Sequence, residues 1–417
     1  MLATFQFPTY SASANGRQAD QWSIKFKMFA FEDKSTQFPA RRQVRPAIAA
    51  MRILIGTVLA ASGVAHAAGD APTPRPLPDV LGVNHINSYY HLTDEDYINE
   101  GADQVLALGS RVIKLIIRDK LDGYYKFNSA WPEITNLVQA AELPYFKEVF
   151  AKPFSTFVLM TFAPGREIHY FTQGMTPEDE AHERQSYYEF TKYLLTTYRG
   201  TGKTFVFQNW EGDWVLTHPP LDLEKKPDPV AVEGMIKWLN ARQDGVDQAR
   251  AEVGTDGVQV YHAAEVNLVE KAQLGHPTVT NDVLPHTHCD LYSYSAYDTM
   301  GQNEAKFRAA LTYLKEKAPD SKTFGENNVY IGEFGWPESL VGEEKRVEMV
   351  RYTVDAALDA GAPYILFWEL YCDGPKPDAA APYGNDEMVG NWLIRPDGSK
   401  SKAWDFFEKL LNDGSAK

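Results

Sequence analysis

Cysteine is almost missing from this chain, with only Cys289 and Cys372 among 417 residues. That excludes a disulfide-stapled scaffold. The two are not expected to pair, because one precedes an apolar run and the other follows one. A basic stripe is also lacking: the net charge is −15, which argues against nucleic acid as a partner and mildly against a polyanionic substrate. The apolar stretch from Ile53 to Ala61 is too short to cross a bilayer, so the mature chain is not expected to insert into a membrane. No G-x-G-x-x-G follows an apolar run, which removes the dinucleotide fingerprint. His286, His288 and Cys289 look superficially like metal ligands, but no complete spaced set accompanies them. Neither a metal nor a cofactor is expected. No internal repeat or low-complexity tract interrupts the sequence.

What the N-terminal region does contain is a processing signal. Met51 opens MRILIGTVLAASGVAHAAGD, with one Arg, an apolar core and small residues at Ala65, Ala67 and Ala68. This is the layout of a secretory signal peptide over 51–67, cleaved after Ala67, and it predicts a secreted or periplasmic protein. Residues 1–50 lack a clear period and are read as an upstream extension, either a wrongly chosen start or a disordered leader. Asp20, Glu32 and Asp33 argue against a transit peptide. A Pro-rich linker occupies 68–79 ahead of residues 80–417, and the length that follows the signal fits one large domain or two ordinary ones.

From residue 81 onwards, apolar runs alternate with helical segments. The runs fall at 81–90, 111–118, 156–165, 203–214, 258–269, 289–298, 329–338 and 362–373. Short continuous runs rich in Val, Ile and Phe suit parallel strands covered on both faces. Between them, Thr93 is expected to cap a helix over 94–108, Thr176 and Pro177 to start one running to Tyr198, and Asp228 and Pro229 to open one reaching Val253. Further helices are expected from about Trp131, over 303–318, over 343–360 ahead of Gly361, and over 403–411. Eight such units predict a single-domain (β/α)8 TIM barrel. A doubly wound open sheet is the rival architecture, and it seldom reaches eight regular units.

The barrel carries a functional expectation, because catalytic groups sit at the C-terminal ends of its strands. Polar clusters stand there: Asn84 and His85, Arg118, Glu211, Tyr261 and His262, Tyr297 and Asp298, Glu333, Trp368 and Glu369. Two stretches share one design. KTFVFQNWEGDW (203–214) ends in a carboxylate between two indoles, and VYIGEFGWPE (329–338) places Glu333 where Glu211 stands. Strands four and seven face each other across a barrel mouth. Paired carboxylates about 5–5.5 Å apart suit a retaining glycosidase, and roughly 6.5–9.5 Å an inverting one. One acid must be held neutral and the other ionised.

At these residues the chain resembles the clan-A (β/α)8 retaining glycoside hydrolases. The resemblance implies hydrolysis of a glycosidic bond in a neutral, β-linked oligo- or polysaccharide, with Glu211 as acid/base and Glu333 as nucleophile. It implies that Arg118 hydrogen-bonds the nucleophile, that Tyr297 or Tyr294 stands beside it, and that Trp368 floors the sugar site. One departure is plain: Trp210 occupies the position where the clan places Asn before the acid. Asn209 lies two before Glu211 and would share its face on a strand.

Other residues remain open. Asp213 rivals Glu211 as the acid, and Glu265 and Glu369 are spare acids that could displace it. His85 and His262 are more often satisfied core histidines than catalysts, yet both are candidates to bind hydroxyls. Trp336 suits either a stacking platform or core packing. A glycan-binding barrel without catalysis is the alternative function. Oligomeric state is left open.

Overall fold

The computed structural model describes residues 75–217 and 225–413. The upstream extension, the signal peptide and residues 68–74 of the linker lie outside them. Eight parallel strands form a closed barrel in sequence order: β1 (Leu81–Asn84), β2 (Val112–Ile117), β3 (Thr156–Thr161), β4 (Lys203–Gln208), β5 (Val258–Val266), β6 (Leu291–Ser295), β7 (Val329–Phe334) and β8 (Ile365–Phe367). β8 pairs with β1 to complete the ring. The expected (β/α)8 barrel is thus the observed architecture.

The helices between the strands are α1 (Tyr97–Ala107), α2 (Leu137–Ala141), α3 (Pro144–Ala151), α4 (Pro177–Thr197), α5 (Gly212–Thr217), α6 (Pro229–Val253), α7 (Val269–Gln273), α8 (Glu304–Lys317), α9 (Glu338–Val341), α10 (Glu343–Asp359) and α11 (Lys402–Asp413). Their starts follow the capping residues. Thr176 and Asp179 form a reciprocal capping box at α4, and Asp228 accepts from Val230 N–H at α6. α1 begins later than expected. Asp96, not Thr93, accepts the Asn99 N–H, while the Thr93 hydroxyl donates to Glu100 at 2.7 Å. Three acids precede this helix, and the one whose backbone stays extended takes the cap.

Alternation along the strands divides the core in two. Phe205 and Phe207 point outwards under the helices, where Phe205 stacks on Phe157 at 5.4 Å and Phe207 on Phe190 at 4.9 Å. Inside the barrel, Val112, Val158, Val206, Ala263, Leu291 and Leu366 form a separate apolar plug, with Tyr330 and Tyr364 among them. The barrel is filled rather than hollow. Its next inward layer towards the C-terminal ends is polar, and the candidate chemistry is there. Cys289 and Cys372 are both buried free thiols. Among the described residues, no helix is long and apolar enough to cross a membrane.

Candidate active site

Glu333 reaches the barrel interior through an irregularity in β7. Tyr294 pairs with Ile331, but the next residue of β6, Ser295, pairs with Glu333. Gly332 is therefore an extra residue, a bulge that turns the following side chain onto the inward face. Strict alternation after Tyr330 would have aimed Glu333 at the helices. Only glycine fits the bulge: a Cβ at 332 would lie 2.0 Å from Ser293 Oγ and 2.6 Å from Glu265 Oε2.

Glu211 arrives by a different route. β4 stops at Gln208, and the Glu211 carbonyl accepts from Trp214 N–H at 2.9 Å, so Glu211 stands at the threshold of α5 rather than on the strand. The turn is tight because Gly212 lets the backbone approach β5, where a Cβ would meet Glu265 O at 2.3 Å. Ser295 then ties the two acids together. Its Oγ lies 3.1 Å from Glu211 Oε1 and 3.3 Å from Glu333 Oε2. Those two oxygens are accordingly no more than 6.4 Å apart, the sum of both reaches. A serine hydroxyl has one proton. With both bonds made, it donates to one carboxylate and accepts from the protonated form of the other.

The cation beside Glu333 is Lys114, not Arg118. Lys114 Nζ donates to Glu333 Oε1 at 2.9 Å and to Gly332 O at 3.3 Å, and it lies 3.7 Å from Glu265 Oε2. All three side chains are fully buried. An ammonium this close favours the ionised form of a carboxylate. Arg118 lies one residue past the end of β2, roughly 13 Å further along the chain than Lys114 at about 3.3 Å per residue. It pairs with Asp119 at 3.2 Å and lies over Phe162. The isolated lysine inside RVIKLIIR was the available signal, since lysine is almost never fully buried unless it is paired.

Beneath the pair, Glu265 gathers donors. Its Oε1 accepts Glu211 N–H at 2.9 Å, and its Oε2 accepts from Gln208 Nε2 at 2.8 Å and Ser293 Oγ at 2.7 Å. Tyr330 donates to Gln208 Oε1 at 2.5 Å. Burial pushes the Glu265 carboxyl up, Lys114 draws it down, and the charge of Glu333 pushes it up again. Tyr297 places its hydroxyl 3.4 Å from Glu333 Oε2. Burial, then the charges of Glu333 and Glu211, hold that phenol well above its ordinary value, so it remains a neutral donor.

Several candidates face elsewhere. Tyr294 bonds Asp298 and Thr299 and stacks on Phe307 of α8, outside the barrel. His262 alternates with the inward Tyr261 and Ala263, meets Tyr187 edge-on, and is held well below its usual value chiefly by burial. β5 continues to Val266, so the strand-end acid there is Glu265. His85 turns towards α1. Its Nε2 lies 2.6 Å from Tyr97 O, and burial lowers it to about 4. Neither histidine faces the mouth.

Asn209 does not share a face with Glu211, because the strand has ended. Its Oδ1 accepts Glu265 N–H at 2.9 Å and its Nδ2 donates to Trp210 O at 3.2 Å, clamping β4 to β5. Asp213 accepts the backbone N–H groups of Asn267, Leu268 and Val279 at 2.8–3.1 Å, which occupies it in holding the loop after β5. Glu369 accepts Asp373 N–H at 2.9 Å, and burial with the neighbouring Asp373 raises it well above the carboxylate range. Trp368 is 7% exposed and donates its backbone N–H to Phe334 O at 2.8 Å. Gly335 leaves room for its carbonyl. Trp336 packs against Gly301, and Trp210 remains half-buried beside Glu211.

No family model and no curated protein matches this sequence. Solved structures do share the fold. A variant of GH5_18 from Streptomyces cattleya, in complex with Manb1-4GlcNAc, is 17% identical over 82% of each chain, with a TM-score of 0.54. GH5_18 from Bifidobacterium longum subsp. longum is 16% identical over 80% of this chain and 79% of that one, with a TM-score of 0.52. An exo-beta-1,4-mannosidase from Opitutaceae bacterium strain TAV5 is 13% identical, covering 80% of this chain and 59% of its own, with a TM-score of 0.52. At these identities the likeness speaks for the barrel.

Proposed function

We propose that this chain is a glycoside hydrolase that cleaves a neutral, β-linked glycan with retention, through a covalent glycosyl-enzyme. The observation that carries the reading is the single Ser295 hydroxyl within hydrogen-bonding reach of both Glu211 and Glu333. Its short span favours the retaining separation over the wider gap that an inverting pair needs for its water. Lys114 supports the nucleophile assignment by placing a buried positive charge 2.9 Å from Glu333 Oε1.

In the first step an oxygen of Glu333 bonds to the anomeric carbon as the bond to the aglycone oxygen breaks. The proton of Glu211 passes to that leaving oxygen. In the second step water loses a proton to Glu211 and attacks the anomeric carbon, releasing Glu333 as a carboxylate. Tyr297 donates to Glu333 while it is charged, and Trp368 and Trp210 offer apolar faces to sugar rings. The fold-sharing structures with Manb1-4GlcNAc and of an exo-beta-1,4-mannosidase support starting a substrate screen with β-mannosides. We further propose secretion through the signal at 51–67, which predicts a mature N-terminus at Ala68.

Two variants separate the roles. Glu333→Gln should abolish turnover of every responsive glycoside while leaving the fold intact. Glu211→Ala should slow natural glycosides by about 10²–10⁴-fold, but dinitrophenyl glycosides far less at the first step, because that leaving group needs no proton. Equal losses on both substrate types would reassign Glu211. Measurable oligosaccharide affinity with no released reducing ends would make the chain a glycan-binding barrel instead.

A further inference from the structure

Lys114 is a single buried ammonium between two buried carboxylates, Glu333 at 2.9 Å and Glu265 at 3.7 Å. The Glu333 contact explains itself if Glu333 must be ionised. Glu265 is harder to account for. Its hydrogen-bond partners are Glu211 N–H, Gln208 Nε2 and Ser293 Oγ, and a neutral amide could accept from the backbone and pair with the other two after a flip. None of those donors requires a negative charge. Burying a second carboxylate costs several kcal/mol unless a cation compensates it, and here the compensating cation is already engaged.

The reaction cycle supplies the reason. When Glu333 forms the ester with the anomeric carbon, its negative charge is consumed. Lys114 would then be a buried cation without a counter-charge. Among the described residues, Glu265 is the only other acid with which Lys114 forms an ion pair. The Gly332 carbonyl, 3.3 Å from Nζ, keeps the ammonium anchored while its partner changes. The Nζ to Glu265 gap needs only to close from 3.7 Å towards the 2.9 Å now kept to Glu333.

We propose that Glu265 is the alternate counter-ion of Lys114, holding its charge during the half of the cycle in which Glu333 is an ester. This rests on the reading of Glu333 as nucleophile. Glu265 touches no reacting atom, so it is a positioning residue acting through Lys114. Removing its charge raises the intermediate more than the free enzyme, in which Glu333 still neutralises the lysine. Formation of the glycosyl-enzyme therefore slows while its breakdown quickens, whereas a packing defect would slow both.

The test uses the full chain and a 2-deoxy-2-fluoro glycosyl fluoride of whichever sugar the wild type hydrolyses, with intact mass measured over time. For Glu265→Gln, the expected result is at least a tenfold fall in the trapping rate and at least a tenfold shorter lifetime of the trapped species. Glu265→Asp keeps the charge and should keep that lifetime within about threefold, and it stands in should the Gln variant fail to fold. In a Lys114→Met background, Glu265→Gln should no longer shorten the lifetime. An unchanged or longer lifetime in Glu265→Gln, or a tenfold shorter lifetime in Glu265→Asp, overturns the proposal alone. A wild type that turns over substrate yet never carries the sugar mass overturns the underlying reading as well.

Discussion

Replacing Lys114 by Met removes the buried ammonium while keeping a side chain of similar length. Glu333 and Glu265 would then face one another across the barrel without a cation, both fully buried. Breaking a buried pair by removing one partner costs about 3–5 kcal/mol. With an unfolding entropy of about 2.1 cal/mol/K per residue, the 332 described residues give about 0.7 kcal/mol/K. The expected loss is therefore roughly 4–7 °C in Tm near neutral pH. The sign with pH follows from the carboxyls. Glu265 already sits above its ordinary value through burial and the charge of Glu333, and losing the lysine removes the influence that draws it down. A carboxyl raised in the folded state favours folding at low pH, and that contribution is lost as pH climbs from the unfolded value of about 4.3 through the folded one. The Tm deficit should accordingly shrink towards pH 4 and widen above pH 6. The acidic limb of the pH profile of kcat/KM should move up. Arg118→Ala serves as the control and should move neither, because its ion pair is with Asp119. Scanning calorimetry from pH 4 to 8 and initial rates on an activated glycoside measure both. A deficit that is absent or constant across this range, with an unmoved limb, would refute the electrostatic account of the site.

Two further perturbations probe the frame around it. Asp298 is raised from 3.8 to about 7, chiefly by burial, while accepting Glu270 N–H at 2.7 Å and the Tyr294 hydroxyl. At about 1.4 kcal/mol per unit, stability on the order of 4 kcal/mol that is present below pH 4 is lost as pH rises towards 7. Asp298→Asn should remove that slope, giving a Tm nearly flat over the interval by calorimetry where the wild type falls. Gly332→Ala places a methyl 2.0 Å from Ser293 Oγ, so the bulge must shift. Overpacking of this kind costs about 1–3 kcal/mol. Activity should fall by more than tenfold even where the melt shows the variant folded at assay temperature.

Much of the barrel was legible from the chain alone. Eight apolar runs separated by capped amphipathic segments can bury both faces of a sheet only by covering it with helices, and all eight runs are strands. The glycines beside the two acids, Gly212 and Gly332, carried no assignment from the sequence, and the structure shows a Cβ at either would clash. Less legible was which way the polar residues at the strand ends point. Side chains alternate with a period of two, so an error of one residue sends a group to the opposite face. That is why His85, His262 and Tyr294 looked like mouth residues and lie against helices. The Gly332 bulge breaks the alternation once more, and the isolated glycine in VYIGEF was the signal that could have found it.

The sequence by itself determined the strands, the helices, their order and therefore which ends of the strands collect polar groups, because these follow from local periodicity and capping. The tertiary structure decided partnership. Lys114 and Glu333 are 219 residues apart, and Ser295 and Glu211 are 84 apart. They meet only because the ring closes between β8 and β1 at one register. A buried ion pair depends on separations of a few tenths of an ångström between distant segments, and no local pattern carries that distance.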